Sequence, residues 1–233
     1  VSLGRQQITA TRLDNRHGII AGEADVTLSI DGRLDNSQGG LIAATQTLSL
    51  NRTSSVIDNS GGQLNGQRLE IDGKQLNNQN GQVTSQGALR VTLLGALLNT
   101  QGARLASGGD LLLNSANLDN RGGRLVSQAL LRIDADSLNN SAGGTLASQQ
   151  NLVLRLKGDL LNQQDGLVFS ERGSLDIQAQ ALDNQAASLK AQGNILLRLG
   201  DDLRNQGGRV DSVAGNLDIH STHLDNSAGG MLN

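Results

Sequence analysis

The sequence predicts an all-β chain, a right-handed parallel β-helix of about eleven rungs with about 21 residues in each. Three observations carry that prediction. A Leu-x-Asn triplet, Ile-x-Asn once, recurs eleven times at spacings of 19 to 23 residues. Every apolar step in the segments between triplets is two residues, the period of a strand with one buried face. The 233 residues hold 30 Gly, no Pro, no Cys, no Trp, no Tyr and a single Phe, Phe169. A globular core of this length would carry several aromatics, because each buries so much surface. This chain must build its core from Leu, Ile, Val and Ala.

The triplet asparagines are Asn15, Asn36, Asn59, Asn78, Asn99, Asn120, Asn140, Asn162, Asn184, Asn205 and Asn226. Asn carries donors and acceptors, so copies stacked about 4.8 Å apart can bond to one another and to turn backbone as an inward ladder. Asp in that column would repel its neighbours. The middle residue of the triplet, Asp in six rungs, is therefore expected to face solvent. The Gly-Gly pairs that follow, such as Gly122-Gly123 and Gly143-Gly144, are expected to supply positive φ at the main turn. Five or six residues after each Asn stands an aliphatic residue, such as Leu105, Leu125 or Leu146. Two residues later comes a small one, such as Ser107, Ser127 or Ser148, which predicts a tight corner. An aliphatic pair follows, such as Leu111/Leu113 or Leu131/Ile133. The step from that pair to the next triplet Leu is five positions, and six in three rungs, which carry Gly95, Gly158 and Gly200. An added residue with a Gly fits a bulged corner. Asn51-Arg52-Thr53-Ser54-Ser55 predicts one protruding loop. Helical spacing is absent, and Gly and Asn recur too often for a helix. A leucine-rich repeat shares the period but needs a different Leu–Asn offset and a helix. A calcium-binding nonapeptide roll needs Gly-Gly-x-Gly-x-Asp at a shorter period.

Composition excludes several functions. The formal net charge is −3, from 19 basic and 22 acidic residues, which predicts no nucleic-acid partner. Zero Cys removes disulfides, thiolate metal sites and a Cys nucleophile. No apolar run approaches membrane-spanning length, and the opening Val1-Ser2-Leu3-Gly4-Arg5 is polar rather than a secretory signal. His17, His220 and His223 are the only histidines. His220 and His223 near one strand end are expected to point to opposite faces, so no metal site is predicted. Asp134/Asp136 and Asp201/Asp202 could suggest glycoside chemistry. They are expected to lack a basic or aromatic cluster in neighbouring rungs, which leaves a polysaccharide-active enzyme as a weak alternative. Lys157-Gly158-Asp159 is similar to integrin-type tripeptides, a match that arises readily by chance. Leu112, Val153 and Leu196 occupy outward strand positions and could form a shallow apolar stripe; scattered surface aliphatics are the blander reading. The Gly-Gly turns precede no helix and are not phosphate loops.

One repeat reads Leu118-Asp119-Asn120-Arg121-Gly122-Gly123-Arg124-Leu125-Val126-Ser127, followed by Leu131-x-Ile133. This pattern resembles the haemagglutinin repeats of filamentous haemagglutinin-like exoproteins, the secreted partners of bacterial two-partner secretion, and all eleven copies match in phase. The resemblance implies a non-enzymatic shaft, without cofactor, in an adhesin or contact-dependent growth-inhibition effector. It implies export through an outer-membrane two-partner-secretion transporter, display on or release from the cell surface, and a receptor on the target cell. Residues 1–233 are expected to form a single β-helical repeat domain, an internal segment of a longer filament. Ten rung steps of about 4.8 Å give a rod of about 50 Å. The open strand edges at its ends are expected to favour end-to-end association. An alternative function is adhesion to cells or glycans by the shaft itself.

Overall fold

Eleven turns of parallel strands follow one another in the computed structural model, which describes residues 3–233. Val1 and Ser2 of the polar opening stretch lie outside the described residues. Each turn starts with the strand of the aliphatic pair, passes into the strand of the triplet, and crosses to the strand that ends in the small residue. The first two strand sets form one 18-stranded sheet and the third an 11-stranded sheet. In four turns the first two strands are fused, as Gln6–Asp14, Val26–Asp35, Leu111–Asp119 and Leu131–Asn139. Equivalent residues pair in parallel register: Leu105 with Leu125, Ser107 with Ser127, Leu111 with Leu131. No helix occurs among the described residues.

Strand periodicity then decides burial. The aliphatic columns interlock into one continuous core, in which Leu105, Leu125, Leu146, Leu131 and Ile133 are fully buried. The partly buried hydrophobics packed on that core are Ile8, Ala10, Leu13, Ile20, Leu217, Ile219 and Leu232, all in the first and last turns. Phe169 stands outside the core, half-buried on the outward face of Leu167–Ser170.

The Gly-Gly pair divides its work. Gly122 takes the left-handed conformation, with φ 62°. A Cβ on Gly123 would sit 1.7 Å from the carbonyl oxygen of Asn99, one rung away. At Gly123 it is therefore close backbone approach, not the positive φ the sequence suggested, that leaves no room for a side chain, while Ala103 and Ala187 occupy the equivalent place in two other rungs. In other turns His17 or Asn80 holds the left-handed conformation, and in the longer turns Gln38 and Ala142 share it with Gly39 and Gly143.

The six-step corners have a similar cause. A Cβ on Gly95 or Gly158 would come 2.9 or 3.0 Å from the carbonyl oxygen of Lys74 or Asp136 on the neighbouring rung. The sequence count of three such corners is one short. Leu28 to Leu34 is also six positions and holds Gly32, and the pairing of Gln6–Asp14 with Val26–Asp35 shifts register between Ala10 and Arg12. The added residues stand proud as ledges: Leu94 is 68% exposed. Asn51 to Ser54 form the exposed loop, closed by the Ser55 N–H on the Arg52 carbonyl at 2.9 Å.

Because each turn contacts only its neighbours, core truncation should be felt most in mid-rod. Leu125→Ala is expected to cost about 2–5 kcal/mol in urea unfolding followed by circular dichroism. Leu232→Ala, at a half-exposed end position, should cost clearly less.

Candidate functional site

The most regular constellation of polar side chains runs inside the rod. Asn15 Nδ2 donates to Asn36 Oδ1 at 2.7 Å, and Asn36 Nδ2 to Asn59 Oδ1 at 2.8 Å. The series continues through Asn78, Asn99, Asn120, Asn140, Asn162, Asn184 and Asn205 to Asn226, each step at 2.7 or 2.8 Å. Nine of these side chains, from Asn36 to Asn205, are completely buried. The amide also ties the turn to the next rung: Asn120 Nδ2 reaches the carbonyls of Gly123 at 3.3 Å and Thr145 at 3.2 Å. Each rung thus satisfies buried backbone and side-chain groups that would otherwise be costly.

Two further columns hold the turns. Asp119 Oδ1 accepts the N–H of Arg121 at 3.1 Å, and Asp14, Asp35, Asp58, Asn77, Asn139, Asp183 and Asp225 accept the N–H two residues on in the same way. The middle triplet residue is therefore a turn cap, a role that solvent exposure alone does not describe. Its composition held the clue, being Asp or Asn in eight of eleven triplets, with Leu98, Leu161 and Arg204 as the others. In the small column the Ser127 hydroxyl faces the carbonyls of Gly109 at 2.7 Å and Leu130 at 2.9 Å. It fastens the second corner to the neighbouring rung.

Four of the six cap carboxylates are held by cations, and Asp183 and Asp225 by glutamine amides instead. Arg16 bonds Asp14 at 2.6 Å, and Arg33 spans Asp35 and Asp58 at 3.1 and 2.8 Å. The Arg16 side chain, aided by its N–H, lowers the Asp14 pKa to about 2. Burial pushes the Asp119 carboxyl up, but the Arg121 guanidinium and N–H outweigh it and the net shift is downward. Burial of Asp35 is likewise outweighed by Ser37 and Arg33.

Three of the four carboxylates in the acidic pairs singled out by sequence are ion-paired. Asp134 is bonded by Arg132 at 2.7 Å and Asp136 by Lys157 at 2.7 Å. Arg155 and Arg198, on the two adjoining rungs, both grip Asp176. Basic residues therefore do surround Asp134/Asp136, contrary to the sequence expectation. Parallel stacking brings in residues one period away, and every carboxylate of this group is neutralised by a cation. A shallow recess of about 310 Å³ lies over Asp134 and Asp136, and another of about 650 Å³ over Gln178 and Gln180, on either side of the Leu156-Lys157 ledge.

His220 and His223 end and begin different strands, Leu217–His220 and His223–Asp225. His220 turns to Asp218 at 3.1 Å and His223 to Asp202 at 3.2 Å. Stacking groups Asp201, Asp202 and His223 with ligand atoms within 4.8 Å of one another, a trio that linear spacing could not reveal. Arg204 already holds the other oxygen of Asp202 at 3.0 Å, and the group is a surface ion-pair cluster. Leu112, Val153 and Leu196 alternate with Arg132 and Asp176 along their column, so they form no continuous stripe. Lys157 and Asp159 lie exposed on their ledge.

On the 11-stranded sheet an outward column runs Ala106, Val126, Ala147, Phe169 over four rungs. Beside it Arg104 stacks directly on Arg124, both exposed, and neither guanidinium has an ion-pair or hydrogen-bond partner among the described residues. This cationic, apolar face was not read from the sequence, because its members lie about 21 positions apart.

The columns define a class of protein, a parallel β-solenoid whose repeated polar residues hold the rod itself together. The haemagglutinin repeat family matches residues 4–38, 19–92, 90–164, 156–207 and 212–233, and the chain belongs to that family. No curated protein and no solved structure matches the chain. The family is structural and adhesive rather than enzymatic, is typical of secreted surface exoproteins, and with the β-solenoid fits a filamentous shaft.

Two outcomes test the columns. Asn120→Asp leaves Asn140 Oδ1 without its donor and places a carboxylate in the ladder. It should destabilise the rod at pH 7 by more than the roughly 1–3 kcal/mol of an unsatisfied buried polar group. Relative to wild type it should recover when the carboxyl is protonated, as read by urea midpoints at pH 7 and pH 4. The cap carboxylates act in the opposite direction. Their folded pKa values lie below the ordinary 3.8, so their stabilisation is present above that value and is lost as pH falls toward about 2. Thermal melts should shift downward across this window. Asp119→Asn keeps the oxygen that caps Arg121 N–H and should reduce the acid sensitivity.

Proposed function

We propose that this chain is a shaft segment of a large secreted bacterial surface exoprotein, which holds adhesive or toxin-delivery regions out toward other cells. The observation that carries this reading is uniformity: the asparagine ladder runs unbroken from Asn15 to Asn226. Its function is length and stiffness, not catalysis. The neutralised Asp134/Asp136 and Asp176 clusters support that, and so does the lack of Trp and Tyr that could stack on a sugar. In the parent protein the segment passes an outer-membrane two-partner-secretion transporter as an extended chain, which the absence of Cys leaves unhindered by disulfides. Rungs then fold in order outside the cell, each on the edge of the one before.

A second reading, that the shaft itself binds a cell surface, is favoured by one feature. Among the described residues Arg104 and Arg124 stand unpaired beside the outward Ala106–Val126–Ala147–Phe169 column. Binding of the labelled protein to epithelial cells and to bacterial cells separates the two. The shaft reading predicts no saturable binding to either. Saturable, competable binding that Arg104→Gln with Arg124→Gln abolishes would establish the second reading and overturn the first.

A further inference from the structure

The exposed loop on the third turn carries a pattern that a plain shaft has no use for. Asn51 and Asn139 are the two asparagines with Ser or Thr two residues on and no Pro between, the acceptor pattern for an N-linked sugar in a secreted protein. A three-residue match arises readily by chance, so the setting of each asparagine decides. The eleven ladder asparagines, which a sugar would force out of the rod, all lack the pattern.

Asn51 closes the strand Thr47–Asn51 and is exposed, as are Arg52, Thr53 and Ser54 after it. The hydroxyl of buried Ser29 donates to Asn51 Oδ1 at 2.8 Å. That bond orients the amide and leaves Nδ2 without a hydrogen-bond partner among the described residues. The Thr53 hydroxyl is likewise unbonded among them. Arg52 pairs with Asp31 at 3.1 Å, so the loop is anchored while its tip stays open. A recess of about 270 Å³ lies beside it, over Lys74 and Leu94. A sugar on Asn51 Nδ2 therefore breaks no hydrogen bond of the rod. Asn139 is set in the opposite way. It lies between Asp119 and Leu161 of the adjoining rungs, and its Oδ1 caps the Ser141 N–H at 3.0 Å. Asn140 is completely buried in the ladder, and the hydroxyl of buried Ser141 accepts the Gln163 N–H at 3.1 Å. A transferase can reach that triplet only by unstacking the rung.

We propose that Asn51 is an acceptor for N-linked glycosylation and that Asn139 is not. The co-substrate is a sugar activated by a diphosphate at its C1, transferred by an enzyme of the producing cell. Asn51 Nδ2 attacks C1, the N–C1 bond forms, and the bond from C1 to the diphosphate oxygen breaks. The diphosphate leaves with the electron pair, and the amide proton passes to a base of the transferase. The sugar then stands on a loop outside the core and leaves the ladder and both sheets unchanged. The proposal holds equally for an inert shaft and for one that binds cells.

The test is peptide mass spectrometry on the protein isolated from the cells that produce it, as wild type and as Asn51→Gln, Thr53→Ala and Thr53→Ser. The proposal predicts whole sugar units on the peptide that carries Asn51 and none on the peptide that carries Asn139. The sugar should persist in Thr53→Ser, which keeps the hydroxyl, and be lost in Thr53→Ala and Asn51→Gln. Thr53 is exposed and unbonded among the described residues, so Thr53→Ala should keep the wild-type circular dichroism. Sugar added in single units marks a nucleotide-linked donor, and one fixed oligosaccharide marks a lipid-linked donor; either sustains the proposal. A bare Asn51 in the wild type, sugar that survives Thr53→Ala, or sugar on Asn139 would overturn it.

Discussion

The interaction on which the rest of the rod depends is the side-chain bond from one asparagine to the next. Its reach, 2.7 to 2.8 Å, fixes the rise between turns at that point. A rung can stack only if its triplet strand is in register. Every length difference among repeats must then be absorbed elsewhere, in the turns. Beside the ladder the turn runs so close to the neighbouring rung that a side chain at Gly123 would collide with the Asn99 carbonyl, while Ala103 and Ala187 occupy the equivalent place in two rungs with the ladder intact. The Asp and Ser columns fasten the turns on either side, so each corner is tied by a different polar group while the aliphatic columns fill the interior.

Interior uniformity leaves the outside free to vary. The corners of Gly32, Gly95, Gly158 and Gly200 add a residue without disturbing the core: the extra backbone passes over a main-chain carbonyl of the adjacent rung at the first three and over the Gln180 side chain at Gly200. Ledges such as Leu94 result, with recesses over the shorter rungs. Charged outward residues find partners across rungs as well as within them, as Asp176 does with Arg155 and Arg198. Variation in loops and surface charge on a constant core is what a shaft of interchangeable segments requires. It is also how a binding face, such as the Arg104/Arg124 strip, could arise on one stretch without altering the rod.

Much of this was legible in the sequence because the physics of a solenoid is periodic. The two-residue apolar step fixed the strands, and the in-phase Leu-x-Asn triplets located all eleven ladder positions. What escaped was contact across a period. Asp202 and His223 lie 21 positions apart and meet only when rungs stack. Phe169 stands outside a core expected of Leu, Ile, Val and Ala, but its place over Ala147, one period away, appears only when rungs stack. The corner at Gly32 was legible too, since Leu28 to Leu34 is six positions with a Gly between, the signal used for Gly95, Gly158 and Gly200. The capping role of Asp119 was missed because a carboxylate at a turn reads first as a solvated group.

The claim that the buried ladder organises the rod is tested most directly by hydrogen exchange of the asparagine side-chain amides, followed by NMR on labelled protein. Surface residues such as Asn80 supply the reference. If the account is right, the Nδ2 protons of Asn36 through Asn205 exchange slowly and in step with the backbone amides of the core strands, while Asn226 is less protected. Side-chain exchange as fast as that of Asn80, with the core strands still protected, would show that the rod stands without the ladder and would contradict the account.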